Sequence, residues 1–562
     1  VSAARRLLPI ALVAAALAAT LAAAHAAPAA EPMIDFVVVK TDTLMGLSQS
    51  VLISPAAWRE VAKLNRLSNP NLILPGQRLK IPTRLLREKP VDAQLVSATG
   101  DVRIGDAPAT SGTAVTEGQT VQTGASSSAV VELADGSRVR LPPSSLAQVV
   151  ASRRLGERGE AAAAASASDA AAANAPSGWF AGTMRVLRGS VEVFASKVLR
   201  AKPLEVVTPT AVVGVRGTSY RVGLDDSANN RSRGEVIEGL VRFDTARGAG
   251  ADVAAGFGAA ADASGAPPQV VKLADAPDLG AVPARFERPL VRFALPSEPT
   301  PLRVQIASDS AFDKIVSDLR VEPGTQVRIA GLDDASWFLR ARRIDVQGIE
   351  GFDATRSFVL KARPEPPVYR APRANGKQPA GRIDFAWALN VEASQVRVQI
   401  AEDEAFTKLV QDRDLLAGSE LRADITTPGT YFWRAASVRP DGDHGPFGDV
   451  QTFVVRALPE PPSAGLSGDG RALVFTWGGR PEDKQLVELA RDTAFTDIVA
   501  SAELNQAQWT LPTPSRSGRY YFRYRSVEPD GYISPYSATA MIDVPRNWLE
   551  MLPAFLPMLL IF

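Results

Sequence analysis

Three observations predict a multidomain, mainly β protein. The chain has 562 residues, more than one hydrophobic core normally organises. Helix-periodic runs are confined to residues 44–64, while short β-branched or alternating runs between Gly, Pro, Asn and Asp turn signals recur from about residue 93 onward. Residues 290–545 also repeat themselves three times. A small βααβ module, an all-β domain and three β-sandwich repeats are expected.

Composition narrows the chemistry. Hydrophobic content of 46% and charged content of 22% are those of ordinary globular protein. A net charge of +1 leaves no basic surplus to neutralise phosphates, so no nucleic-acid partner is expected. Residues 34–90 are locally basic, with Lys and Arg outnumbering Asp and Glu, which suits a solvated face. With no cysteine there is no disulfide, thiolate nucleophile, Cys zinc site or lipid-modified cysteine. The two histidines, His25 and His444, cannot build a multi-histidine metal site or a catalytic dyad of their own. No catalytic residue, metal site or cofactor is expected.

At the N-terminus, Arg5-Arg6 precedes an Ala/Leu-rich run over 7–24 and the small-x-small pattern Ala24-His25-Ala26. Residues 1–26 therefore read as a cleaved signal peptide for the general secretory route. The expected compartment is the periplasm, with association to the envelope as an option within it. A retained membrane anchor is the alternative, since the run is long enough to span.

Residues 33–83 form the first unit. Residues 35–40 alternate and are β-branched, as an outer strand should be. Asp42 and Thr43 can cap an apolar-periodic run over 44–52. Ser54 as N-cap and Pro55 at the first helical position predict a second helix, with Trp58, Val61, Ala62 and Leu64 on its partly buried face. Asn69-Pro70 and Pro75-Gly76 signal turns, and Leu79 and Ile81 alternate with Arg78 and Lys80 in a closing strand.

This unit resembles a LysM module through Val37 to Lys40, Asp42-Thr43-Leu44, Asn65, Asn69-Pro70-Asn71-Leu72-Ile73, Pro75-Gly76-Gln77 and Leu79-Lys80-Ile81-Pro82. Thr41 stands where that family usually has Gly. The resemblance implies binding of peptidoglycan or another N-acetylglucosamine-containing glycan between two loops. The residues it nominates are Asp42, Thr43, Leu44 and Met45 in one loop, with Asn69, Pro70, Leu72 and Ile73 in the other. Such a neutral sugar can be read by backbone groups and small apolar side chains.

A basic connector leads to residues 92–275. Strands are expected over 93–104, 120–123, 129–141 (broken at Asp135-Gly136), 182–194, 203–222 and 235–243. The alternation through 130–135 predicts a half-buried hairpin. The Ala/Ser tract over 156–178 reads as a low-complexity insertion, and 248–268 as a similar loop. Glu132-Leu133-Ala134-Asp135-Gly136-Ser137, Arg188-Gly189-Ser190-Val191, Thr208-Pro209-Thr210-Ala211 and Val215-Arg216-Gly217-Thr218 resemble the FecR-type periplasmic domain. That resemblance implies protein contacts and signal relay through an envelope protein partner. In those regulators a cytoplasmic sigma-binding region and a transmembrane helix precede the domain. Here the export signal and the glycan module precede it, which disfavours direct anti-sigma activity.

The repeats are expected at 288–363, 366–457 and 460–545. Ile306-Ala307-Ser308-Asp309-Ser310-Ala311-Phe312 returns as Ile400-Ala401-Glu402-Asp403-Glu404-Ala405-Phe406 and as Leu489-Ala490-Arg491-Asp492-Thr493-Ala494-Phe495. The phenylalanines lie 94 and then 89 positions apart, and Trp337, Tyr431 and Tyr520 keep the same spacing. Period-2 strands and Pro-rich joints resemble fibronectin type III or immunoglobulin-like sandwiches. Tyr431 and Tyr520 fit a tyrosine corner, with Trp337 in that place in the first copy. Asp309, Asp403 and Asp492, one per repeat, suggest local turn caps. Asp441-Gly442-Asp443-His444-Gly445 reads as a hairpin turn, not a calcium loop. The end of the chain, 546–562, is an apolar tail interrupted by Pro553 and Pro557.

The expected function is non-enzymatic: tethering of a signalling or protein-interaction domain to the cell wall. One alternative is a regulatory sensor partner of a membrane signalling protein, with little glycan binding. The other is a cell-wall remodelling enzyme built on paired acidic residues.

Overall fold

The structure is a computed structural model describing residues 31–40, 42–156, 179–196, 200, 202–215, 218–225, 230–295 and 299–545. The expected signal peptide, Thr41, nearly all of the insertion after Gly156, Arg216-Gly217 and the apolar tail lie outside these residues. The chain divides into two compact units. One runs to Phe286 and includes Leu290–Leu360; the other comprises Glu287–Pro289 and everything from Lys361 onward.

The first unit begins with the βααβ module. Strand β1 (Met33–Val37) pairs antiparallel with β2 (Arg78–Pro82), from Met33 opposite Pro82 to Val37 opposite Arg78. Helix α1 (Leu44–Ser50) starts at Thr43, whose hydroxyl accepts the Gly46 amide as expected of an N-cap. Helix α2 (Trp58–Leu64) starts later than expected. Ser54 does not cap it: the Ala57 amide donates to the Ser54 carbonyl, and residues 54–57 form a turn. The first α-type bond runs from Val61 to Ala57.

The module does not close its core alone. Phe36, Val51, Leu52, Leu85 and Leu86 share a buried cluster with Leu155 and Trp179 of the following β domain. Glu88–Pro90 then pairs with the end of the strand Leu146–Leu155.

The β domain closes into a barrel organised by one long strand, Trp179–Phe194, of 16 residues. Its first half pairs with Leu146–Leu155 and, in parallel, with Leu204–Val207. Its second half pairs with Arg138–Leu141 and Ser219–Leu224. Buried Val, Leu and Ala side chains with Tyr220 and Phe243 fill the interior. Thr208-Pro209-Thr210-Ala211 is a turn in which the Ala211 amide donates to the Thr208 hydroxyl at 2.9 Å.

Three expectations for this domain change. Leu146–Leu155 is a strand that sequence alternation hides, because a register shift falls between Val149 and Ala151. Residues 248–268 are not one loop: Gly250–Ala254 pairs with Leu240–Thr245, and Phe257–Ala261 pairs with Ser232–Glu238. Small residues give that stretch no β-branched signal, but Val253, Ala259 and Ala261 are buried and ladder bonds hold the backbone. Finally, Ser128–Glu132 is buried on both faces, not half-buried, because the first repeat covers its outer face.

That first repeat belongs to the same compact unit as the barrel. Its larger sheet contains Arg285–Phe286, Ala354–Leu360, Ala335–Arg343, Leu302–Ala307 and Ile315–Val321, in that order; Val291–Ala294 pairs with Gln326–Ile329 opposite.

The second unit holds the other two sandwiches. In one, Val368–Ala371, Gly381–Ala388 and Glu420–Ile425 face a sheet centred on Gln395–Ala401 and Gly429–Val438. In the other, Ser463–Leu466, Ala472–Thr476 and Gln508–Pro512 face a sheet centred on Lys484–Ala490 and Gly518–Val527. Aromatic cores fill both, including Phe385 with Trp433 and Phe475 with Phe522.

The repeat signatures resolve into specific contacts. The Tyr431 hydroxyl donates to the Thr427 carbonyl at 2.9 Å and Tyr520 to Arg516 at 2.7 Å; the Trp337 indole N–H donates to Asp333 at 3.0 Å, the same i−4 bond made by a different ring. Asp309, Asp403 and Asp492 accept backbone amides four and five residues on. Asp441-Gly442-Asp443-His444 is a hairpin turn between Gly429–Val438 and His444–Phe447, with Gly442 at φ +86°. No cluster of metal-binding side chains occurs among the described residues.

Candidate functional site

The two loops nominated by the sequence are brought together by an extension of the β1–β2 ladder. The Val38 amide donates to the Gln77 carbonyl and the Gly76 amide to the Val38 carbonyl, each at 2.8 Å. Gly76 turns at φ +84°, open to a residue without a side chain. The Gln77 carboxamide accepts the Leu74 amide at 2.9 Å and fixes the second loop from within.

In the first loop, the Asp42 carboxylate accepts the Val39 amide at 2.9 Å, closing the turn that leads into α1. The Thr43 hydroxyl is committed to its capping bond with Gly46 at 3.0 Å. Leu44 is buried and belongs to the module core, whereas Met45 is 52% exposed. In the second loop, the Asn69 side chain accepts the Asn71 amide at 3.0 Å and its carbonyl accepts the Leu72 amide, an Asx-type turn. Pro70 is half-buried. Leu72 is 60% exposed, while Ile73 is buried in the same core as Leu44.

The nominated residues thus divide by task. Leu44 and Ile73 are the apolar underside of the two loops, and only their backbone can meet a ligand. Asp42, Thr43 and Asn69 hold loop shape. Met45 and Leu72 project apolar surface into solvent, joined by Leu74, also 60% exposed, which sequence reading did not nominate. Asn65, part of the motif, is structural: its carboxamide donates to Val61 and Lys80 and accepts the Lys80 amide at 2.7 Å, clamping α2 to β2.

The barrel covers a different side of the module. Trp179 lies on Phe36 with ring centroids 5.7 Å apart, and Gly156 donates to Arg87, which donates to Val51. The exposed side chains of the two loops remain clear of this seam.

A second constellation, absent from sequence reading, lies where the barrel meets the first repeat. Arg140, Glu192, Arg221 and Glu235 are direct cross-strand neighbours on four adjacent barrel strands, a row of alternating charge. All four are buried. Glu192 accepts Arg140 at 2.7 Å, Arg340 at 2.7 Å and Arg342 at 2.9 Å, the last two from the first repeat. Glu350 of the repeat takes Arg233 at 2.6 Å, Arg303 at 2.8 Å and Arg342 at 3.0 Å. Asp318 pairs with Arg303 at 2.6 Å, Asp313 with Arg140 at 2.5 Å and Asp353 with Arg221 at 3.1 Å.

Burial works against these carboxylates, but the guanidinium groups around them prevail at two positions. Arg340, Arg342 and Arg140 hold Glu192 well below the usual carboxylate range, and Arg303, Arg342, Arg233 and Arg221 do the same for Glu350. Glu235 goes the other way. Desolvation, with the nearby Glu350 charge, pushes it up despite Arg233 and Arg221, and it accepts the Glu350 amide at 3.1 Å. Charges so deeply buried are sustained only by this mutual pairing.

Comparison with known proteins follows this division of the chain. Among solved structures, the FN1–FN3 domains of chicken CNTN1 give 12% identity and a TM-score of 0.20 over 46% of this chain and 95% of that one. Fibronectin(III)-like modules of CbhA from Clostridium thermocellum give 15% and 0.21 over 33% and 96%. A protein described as an anti-sigma factor, from Parabacteroides distasonis, gives 15% and 0.20 over 27% of this chain, which spans 58% of that protein's length. No curated protein matches the chain. No helix among the described residues is long and apolar enough to cross a membrane. Residues 36–82 match the LysM domain and residues 119–242 match the FecR protein family, so the chain joins a module of glycan-binding type to a domain of signalling type, both typical of the cell envelope.

Proposed function

We propose that this chain is a non-enzymatic, peptidoglycan-binding protein of the periplasm that tethers its FecR-type domain to the cell wall. The domain then meets an envelope protein partner, and the sandwiches at about 366–457 and 460–545 supply reach or further contact surface. The observation that carries this reading is the exposure of Met45 and Leu72 on loops whose undersides are rigidly packed. A pre-formed apolar ledge beside backbone groups suits the acetamide and ring faces of N-acetylglucosamine. A single module without charge-assisted bonds to the sugar is expected to bind weakly.

The test is retention of the full mature chain on purified insoluble peptidoglycan. The full chain is needed because Phe36 shares its core with Trp179, and an isolated module would expose that seam. Native protein is expected in the pellet, and Leu72→Asp should weaken retention about tenfold with an unchanged circular-dichroism spectrum. Absence of the native chain from the pellet, beside a working glycan-binding control, rejects the tether. Clearing of a cell-wall zymogram would favour the remodelling enzyme instead.

A further inference from the structure

The three repeats build the same device at the same turn. Each has a phenylalanine at positive φ, Phe312 (61°), Phe406 (57°) and Phe495 (57°), with an arginine from the neighbouring strand over its ring. That arginine, Arg340, Arg434 or Arg523, also donates to Gln305, Gln399 or Glu488. The spacings of the phenylalanines and of the arginines agree, so positions can be matched one to one.

Matched this way, the repeats differ at two places that flank the arginine. Where the first has Asp353, the second has Phe447 and the third Tyr536. Arg434 is sandwiched between Phe406 at 4.0 Å and Phe447 at 4.2 Å, and Arg523 between Phe495 and Tyr536, both at 3.8 Å. Each of these repeats closes its arginine with a ring of its own. Arg340 has a ring on one side only, Phe312 at 4.6 Å, and the barrel's Glu192 at 2.7 Å meets its guanidinium. The second difference is Asp313, matched by Thr407 and Thr496. Thr407 turns back to its own Asp403, whereas Asp313 reaches the barrel's Arg140.

Both of these acids face barrel arginines, Asp313 with Arg140 and Asp353 with Arg221, and Asp353 also lies 3.6 Å and 3.5 Å from the repeat's own Arg340 and Arg342. Glu350, matched by His444 and Ile533, adds a third such pair with Arg233. We infer that Asp313 and Asp353 make the first repeat the dedicated intramolecular partner of the FecR-type barrel, a docking surface that the matched positions of the other repeats do not encode. The surface fits a partner presenting buried arginines that alternate with glutamates in a row, and the barrel's Arg140, Glu192, Arg221 and Glu235 have that chemistry. Without the two acids, Arg140 and Arg221 lose their cross-domain carboxylates and keep only Glu192 and Glu235 of the barrel as acidic partners, so the buried row is left with fewer carboxylates around its cations.

Hydrogen exchange with mass spectrometry on the full chain tests this. The double substitution Asp313→Thr with Asp353→Phe copies the second repeat at both positions. It is expected to raise exchange at the turn 309–315 about tenfold, together with the barrel segment 186–194. The turns 403–409 and 492–498 should keep native rates. The pair Asp313→Asn with Asp353→Asn conserves volume and guards against a misfolded first variant; it should raise exchange at the same turn about threefold. Native rates at 309–315 in both variants, or an equal rise at all three turns, overturn the inference.

Discussion

Phe36 of the LysM module and Trp179 of the barrel pack at a centroid distance of 5.7 Å and an interplanar angle of 35°, so the module's core is completed by a residue more than one hundred positions away in sequence. Trp179→Ala should therefore cost ~3–5 kcal/mol. In urea denaturation of the full chain, module and barrel, expected to unfold together in the native protein, should separate into two transitions.

Glu192 is shared by three buried guanidinium groups, those of Arg140, Arg340 and Arg342. Its removal by Glu192→Ala leaves those cations without their common partner, an expected loss of ~3–5 kcal/mol. Equilibrium unfolding followed through the barrel's near-ultraviolet signal measures it. The second compact unit should be unaffected.

Stability of the barrel with its first repeat should fall with acid. Glu192 and Glu350 have carboxyls held below the ordinary range, so their contribution is complete above about 4.3, the usual glutamate value, and is lost as pH falls through their depressed values. Glu235 has the opposite sign: raised in the folded state, it contributes below the usual value and that contribution is lost as pH rises through its own. Glu235→Gln keeps an oxygen for the Glu350 amide. It should flatten the upper part of the stability–pH curve and leave the acid limb intact, as read by thermal unfolding across pH.

Removing the corner hydroxyls should act locally. Tyr431→Phe and Tyr520→Phe each lose one bond to a backbone carbonyl in a well-packed core, an expected ~1 kcal/mol apiece. Exchange at Thr427 and Arg516 should rise only in the repeat that carries the substitution.

Much of the fold was legible because its signals are local. The Thr43 cap, the Pro75-Gly76 turn, the corner tyrosines and the recurring aspartates each act within a few residues, and the structure places each in the expected bond. The α2 start was misread because a Ser-Pro pair serves a turn as well as a helix cap. In the two loops of the LysM module, residue type separated neither Leu44 from Met45 nor Ile73 from Leu72, since which side chain faces inward depends on the core beneath. The ionic cluster was illegible for a different reason. Arg140, Glu192, Arg221 and Glu235 alternate with buried apolar residues as a solvent-facing row should, and only the arrival of the first repeat takes that face out of water.

The strand Trp179–Phe194 has one end in the module's core and places Glu192, near the other, among the arginines of the first repeat. At about 3.3 Å per residue its 16 residues span about 50 Å. A pull applied to the LysM module would enter this strand through the packing of Phe36 on Trp179 and pass along its backbone. Its far anchorage is a cluster of opposite charges, whose grip under tension depends on how well water is kept out.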